Sequence, residues 1–170
     1  MTLLKVYNAY KKGIFYMNKG VDVVTITLML AMVGVVFYQV IMRQIFERPP
    51  IWGEEISVTF MVWFVFLGIV LGLEEDLHIG ITMFVAKLPK KVQFVIEVFV
   101  SILILVLSIF FIVYGYSLAS RMLGFGTALP ATGLPAAIHY AVIPIAGVLM
   151  GLVILGKIAQ QFINRKEQLK

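Results

Sequence analysis

Ionisable residues are kept out of four long stretches of this chain, and nothing else in the sequence limits its fold so severely. Residues 23–42, 56–73 and 98–120 form uncharged runs of 20, 18 and 23 residues, and a fourth run covers 122–156. At about 1.5 Å of rise per residue, the 18-residue run makes a helix roughly 27 Å long, close to the thickness of a bilayer's hydrocarbon core. The charges collect between the runs: Arg43 closes the first, Glu54 and Glu55 open the second, and Glu74-Glu75-Asp76 follows it. One helix that is apolar all round can be buried in a soluble protein. Four such stretches in 170 residues require lipid as the solvent.

Composition agrees. Hydrophobic residues make up 61% of the chain and charged residues only 14%, against about 25% in an ordinary soluble protein. The spans take up about half of the sequence, so residues 1–170 read as a single membrane domain with no room for a soluble domain of ordinary size. The net charge of +5 does not point to nucleic acid, because the lysines and arginines flank apolar runs; lipid headgroups are their expected counterpart. With no cysteine, disulfides, thiolate metal sites and cysteine nucleophiles are excluded. Lysines precede a first apolar run of about 20 residues, and no small-x-small cleavage pattern follows it, so a retained signal anchor is expected.

The expected architecture is all-α: four transmembrane helices at about 23–42, 56–73, 98–120 and 136–156, plus short amphipathic interfacial helices. Leu3, Val6, Tyr7, Tyr10, Ile14 and Met17 share one helical face, which predicts an interfacial helix over 3–17; the alternative is a basic tail that only orients the first span. Ile81, Phe84, Val85 and Leu88 repeat that spacing before Pro89 and predict a second interfacial helix over about 80–88. The stretch 124–135 is rich in glycine, proline and threonine and reads as a loop. Four crossings put both termini on one side. That side carries Lys5, Lys11, Lys12, Lys19, Lys87, Lys90, Lys91, Lys157, Arg165, Lys166 and Lys170, eleven cations against three (Arg43, Arg48 and Arg121) on the other, which predicts cytoplasmic termini.

The most informative chemical feature is negative. No Asp, Glu, Lys or Arg lies in the middle of an expected span, whereas proton relays and ion-coupled pumps place such a group at membrane depth. A self-sufficient cation–proton exchanger is therefore not expected. His78 and His139 fall at opposite ends of the spans, roughly 30 Å of hydrocarbon apart, and cannot clamp one haem iron. Arg43 faces Glu54 and Glu55 across a short loop, as an ion pair or as separate headgroup contacts, and Trp52 is expected at headgroup level. Gly68-x-x-x-Gly72 and Gly147-x-x-x-Gly151 leave smooth helix faces for close approach, within the chain or against a partner. Pro144 is expected to kink the fourth span. There is no Walker loop, dinucleotide pattern, metal-spaced cluster or catalytic triad, and no enzymatic activity or bound cofactor is expected.

One resemblance ties these pieces together. Gln39-Val40-Ile41-Met42-Arg43, Phe46, Trp52-x-x-Glu55, Phe66-Leu67-Gly68, His78-Ile79-Gly80, Ala128-Leu129-Pro130 and Ile143-Pro144-Ile145-Ala146-Gly147 occur in the order found in the small, DctQ-like membrane subunit of tripartite ATP-independent periplasmic (TRAP) transporters. The likeness runs from about residue 20 to 157 and departs from the family pattern at Glu74-Glu75-Asp76. It implies a multi-pass protein of the bacterial inner membrane with two partners: a large multi-span subunit that carries solute and sodium and moves as an elevator, and a periplasmic solute-binding protein. It also implies organic acids as solutes, C4-dicarboxylates or sialic acids. The small subunit would brace the stationary scaffold, and Arg43, Trp52, Glu55, Gly68, Gly72, His78, Pro144, Gly147 and Gly151 are its candidate partner or interface residues. Two other readings remain at this stage: the membrane anchor of a redox enzyme, and an independent homo-oligomeric channel.

Overall fold

In a computed structural model, residues 2–48, 50–74 and 89–168 are described, with side chains for 10, 12–48, 50–74, 89 and 92–161. Four helices account for nearly all of them: α1 (Thr2–Ile45), α2 (Ile51–Glu74), α3 (Lys90–Gly124) and α4 (Ala137–Gln168). Each contains a stretch long and apolar enough to cross a bilayer. Among the described residues the only extended pairing is an isolated antiparallel bridge between Ala128 and Pro135.

Helix ends follow local chemistry. α1 stops where Glu47 takes a left-handed conformation (φ 55°) and the amides of Phe46 and Arg48 both turn back to the Met42 carbonyl. α3 begins after Pro89, whose carbonyl receives the amides of Val92 and Gln93. It ends in a Schellman arrangement, with Gly126 N–H bonded to Leu123 O and Thr127 N–H to Met122 O. That closure needs the positive φ of 61° that glycine supplies at 126.

α1 is one unbroken helix of 44 residues, about 66 Å long. The segment 3–17 thus runs straight into the first span without a separate helix of its own. The later part of its apolar face meets protein: the Tyr10 hydroxyl donates to the Leu152 carbonyl of α4, and Ile14 and Met17 pack on the central core. Gly13 and Gly20 remain helical, so nothing in this stretch forces a break. The second interfacial helix, expected at 80–88, and His78 lie outside the described residues.

The closest neighbours are α3 with α4, then α1 with α2, then α2 with α4, while α1 and α4 touch only locally. The core sits where α2 meets α4. Val70 and Leu73 pack there against Ala146, Met150 and Val153, with Ile104 and Phe111 of α3 closing one side. Phe66 and Phe111 meet edge to face, centroids 5.6 Å apart. Buried polar side chains among the described residues are all neutral: Asn18, Thr25, Ser101 and Ser108. In lipid the helices gain little from hiding apolar surface from one another, so close packing and internal hydrogen bonds hold them together.

The fourth span shows this best. A Cβ on Gly147 would lie 3.0 Å from the Ile112 amide nitrogen, and one on Gly115 would lie 2.9 Å from the Pro144 ring. Gly147 and Gly151 are therefore used inside the chain, as the surface that α3 packs on. Gly68 is different, because a Cβ there would meet nothing within 4 Å. Gly72, one turn further along α2, is half-buried.

Candidate functional site

The α1–α2 and α3–α4 connections come together at one end of the bundle, and Glu55 is the residue that joins them. It stands just before the uncharged run of α2, where the helix leaves the apolar layer. Its Oε1 accepts the amide of Ala131 (2.8 Å), and its Oε2 accepts both the amide and the hydroxyl of Thr132 (each 2.9 Å). The loop it grips is already folded on itself through Leu129 N–H to Leu134 O, Gly133 N–H to Leu129 O and Ala136 N–H to Thr127 O. Gly133, at φ 69°, makes the turn. A carboxylate that accepts three hydrogen bonds fixes backbone that would otherwise be unpaired at the edge of the bilayer. Burial acts to raise the Glu55 carboxyl, but the amide of Ala131 and the hydroxyl and amide of Thr132 outweigh it and hold the group below the usual glutamate range.

Arg43 takes no part in this. It is exposed, and among the described residues neither it nor Glu54 has an ion-pair partner. Of the two readings of Arg43, the ion pair across the loop is not formed among the described residues, and the Glu55 carboxylate is committed instead to Ala131 and Thr132.

Other side chains tie the same end together. Trp52 stacks on Tyr38 at 6.0 Å, joining α1 to α2. Gln39 lies against Gly53, where any side chain would collide with its amide. Thr59 Oγ1 and His139 Nδ1 are 3.2 Å apart, and the Trp63 indole donates to the Ile138 carbonyl at 3.0 Å, joining α2 to α4. Between α2 and the gripped loop an open cleft of about 460 Å³ is lined by Ile51, Glu54, Glu55, Val58, Leu129, Pro130, Ala131 and His139.

Of the candidate residues, Trp52 and Glu55 share this end with the exposed Arg43. Pro144, Gly147 and Gly151 lie deep in the α3–α4 contact, Gly68 has open space where a Cβ would stand, and Gly72 is half-buried one turn further along α2. Sequence reasoning missed Thr132, Gly115 and Ser108. Thr132 sits 77 positions from Glu55, and Gly115 and Ser108 belong to no paired-glycine pattern, so no local signal marked them. Among the described residues no three His, Cys, Asp or Glu side chains gather as metal ligands. What the arrangement can do is mechanical: it fixes two loops and four helices as one unit.

A membrane protein with four long apolar helices, its buried polar side chains all neutral among the described residues, is thus the class that fold and site define. Residues 32–164 match the family described as tripartite ATP-independent periplasmic transporters, DctQ component, and the chain belongs to that family. It is 29% identical over 143 residues to a Haemophilus influenzae protein provisionally named a TRAP transporter small permease protein, covering 84% of this chain and 88% of that one. It is 28% identical over 133 residues to the sialic acid TRAP transporter small permease protein SiaQ of Vibrio cholerae, covering 78% and 76% of the two. A third match, 31% over 100 residues, covers 59% of this chain but only 16% of the sialic acid TRAP transporter permease protein SiaT of Haemophilus influenzae. The chain is the small permease subunit of a tripartite transporter and a multi-pass protein of the inner membrane. Neither the redox-anchor nor the channel reading gains support from these matches.

Proposed function

We propose that this subunit is a non-catalytic brace. Both termini face the cytoplasm, and the end organised by Glu55 faces the periplasm. Its four helices widen and anchor the stationary scaffold of a large permease subunit, which carries the solute and the coupling sodium ions and moves against that scaffold. The observation that carries this reading is the neutrality of the buried polar groups among the described residues, all amides or hydroxyls. Such an interior offers no group to exchange a proton or hold an ion at membrane depth. The short match within the much longer SiaT supports close pairing with a large subunit, since there a segment similar to this chain lies within a larger permease.

The solute is an organic acid, of the sialic acid or C4-dicarboxylate class, delivered by a periplasmic binding protein. The relatives named for sialic acid favour the former. The loop end, with Arg43, Trp52, Glu55 and the 124–135 loop, touches that binding protein when it docks. Reconstituted uptake of a panel of organic acids, with and without this subunit, tests the proposal. Uptake is expected only when the large subunit and this chain are both present. Accumulation of solute by vesicles holding this chain alone would refute the brace.

A further inference from the structure

Among the described residues, a cleft beside Glu54 at the loop end is left open by the internal bonding. Glu55 has both oxygens committed to Ala131 and Thr132, and His139 turns Nδ1 toward Thr59. Glu54 is exposed in the first turn of α2, and its carboxylate has no partner among the described residues. Favourable placement near a helix N-terminus explains why an acid is tolerated there. It does not explain why the acid borders a cleft of about 460 Å³, a size within the range of ligand sites.

Charge and shape together select the occupant. Among the described residues the lining contains two carboxylates and no lysine or arginine, and the rest is Ile51, Val58, Leu129, Pro130, Ala131 and His139. An anion, whether a transported acid or the phosphate of a lipid, would meet negative charge with no cation to answer it. A lysine or arginine side chain has the opposite pattern, an apolar stem with a charged tip, and fits apolar walls that end in a free carboxylate. We propose that this cleft receives a basic side chain of the periplasmic binding protein, its charged end on Glu54 and its stem against Val58, Leu129 and Pro130. The inference rests on the docking proposed above and names the contact through which docking is made.

The test uses liposomes that hold this chain with its large subunit. Uptake is measured against the concentration of binding protein for wild type, Glu54→Lys, Val58→Trp and Glu47→Lys, after thermal unfolding has shown that all four fold. Glu54→Lys reverses the charge in the cleft, and Val58→Trp fills the cleft without changing charge. Both are expected to raise the half-saturating concentration of binding protein about tenfold or more. Glu47→Lys makes the same charge change at the same end but outside the cleft, and is expected to stay within about twofold of wild type. Equal effects of Glu54→Lys and Glu47→Lys, or wild-type behaviour of Glu54→Lys and Val58→Trp, would overturn the proposal. So would carbodiimide coupling that joins Glu54 to an aminophospholipid, identified by mass. If wild-type uptake does not respond to the binding protein at all, the docking reading itself fails, a result distinct from failure at Glu54.

Discussion

Ser108 of α3 fills the space that Gly151 leaves on α4. A Cβ on Gly151 would lie 2.8 Å from the Ser108 hydroxyl oxygen, and that hydroxyl donates to the Gly147 carbonyl at 2.8 Å. The two glycines, one turn apart, form a socket, and the serine is its plug. Ser108 is 1% exposed, so its polar group is satisfied where water cannot reach it.

The socket can be tested by its two halves. Ser108→Ala is expected to cost about 0.6 to 1 kcal/mol, the usual worth of one hydrogen bond between membrane helices. Gly151→Ala in the wild-type background should cost about 1 to 3 kcal/mol through overpacking, and less when Ser108 is also Ala. Denaturant or thermal unfolding in detergent measures all three. Additive losses in the double variant would show that the two positions do not share the space.

Two glycines inside helices are expected to respond in opposite ways, Gly115 and Gly68. At Gly115 a Cβ would lie 2.9 Å from the Pro144 backbone nitrogen, so Gly115→Ala must push two helices apart and should cost about 1 to 3 kcal/mol. At Gly68 the space is open, so Gly68→Ala should leave the isolated subunit no less stable and add up to about 1 kcal/mol through helix propensity. Unfolding of the purified subunit alone makes the comparison, since only then is a partner's contact with Gly68 absent.

The Glu55 grip carries its own pH dependence. Its carboxyl sits below the ordinary glutamate value of about 4.3, so the stabilisation it gives is fully present above that value and is lost as pH falls through the lower, folded one. No change is therefore expected between neutral and mildly acidic pH. A difference infrared titration of wild type against Glu55→Gln should place the carboxylate midpoint below that of a free glutamate. A midpoint at or above the free value would mean that Ala131 and Thr132 do not hold it.

How much of this was legible depends on the range of the interaction. Charge-free runs report directly on lipid, so the all-α, four-helix character could be read from residues such as Ile56 to Leu73. Periodicity also marked the face of α1 that holds Tyr10, Ile14 and Met17, but it could not say whether lipid or α4 covers that face. The same limit applied to the glycine pairs, where spacing shows a smooth surface and not the surface that meets it. Glu55 was recognised as a candidate for its place at the start of α2, and its partners were missed because Arg43 was nearer in sequence. Formal charge draws the eye to an ion pair, whereas the structure satisfies the carboxylate with backbone amides, which every sequence contains.

Exchanging the two charges separates those alternatives. If Arg43 and Glu55 formed a pair, Arg43→Glu and Glu55→Arg would each be harmful and the double change would restore function. The geometry gives a different pattern. Arg43→Glu should leave the loop end intact, since the Arg43 side chain is exposed and without a partner among the described residues. Glu55→Arg removes the acceptor of three hydrogen bonds and should free residues 125–136, raising protease cleavage there on the order of tenfold. The double variant should behave like Glu55→Arg alone, because an arginine at 55 cannot accept a hydrogen bond from Ala131 or Thr132 whatever stands at 43. Limited proteolysis of the reconstituted complex, read by mass, checks all three, and rescue by the double variant would return the ion pair to consideration.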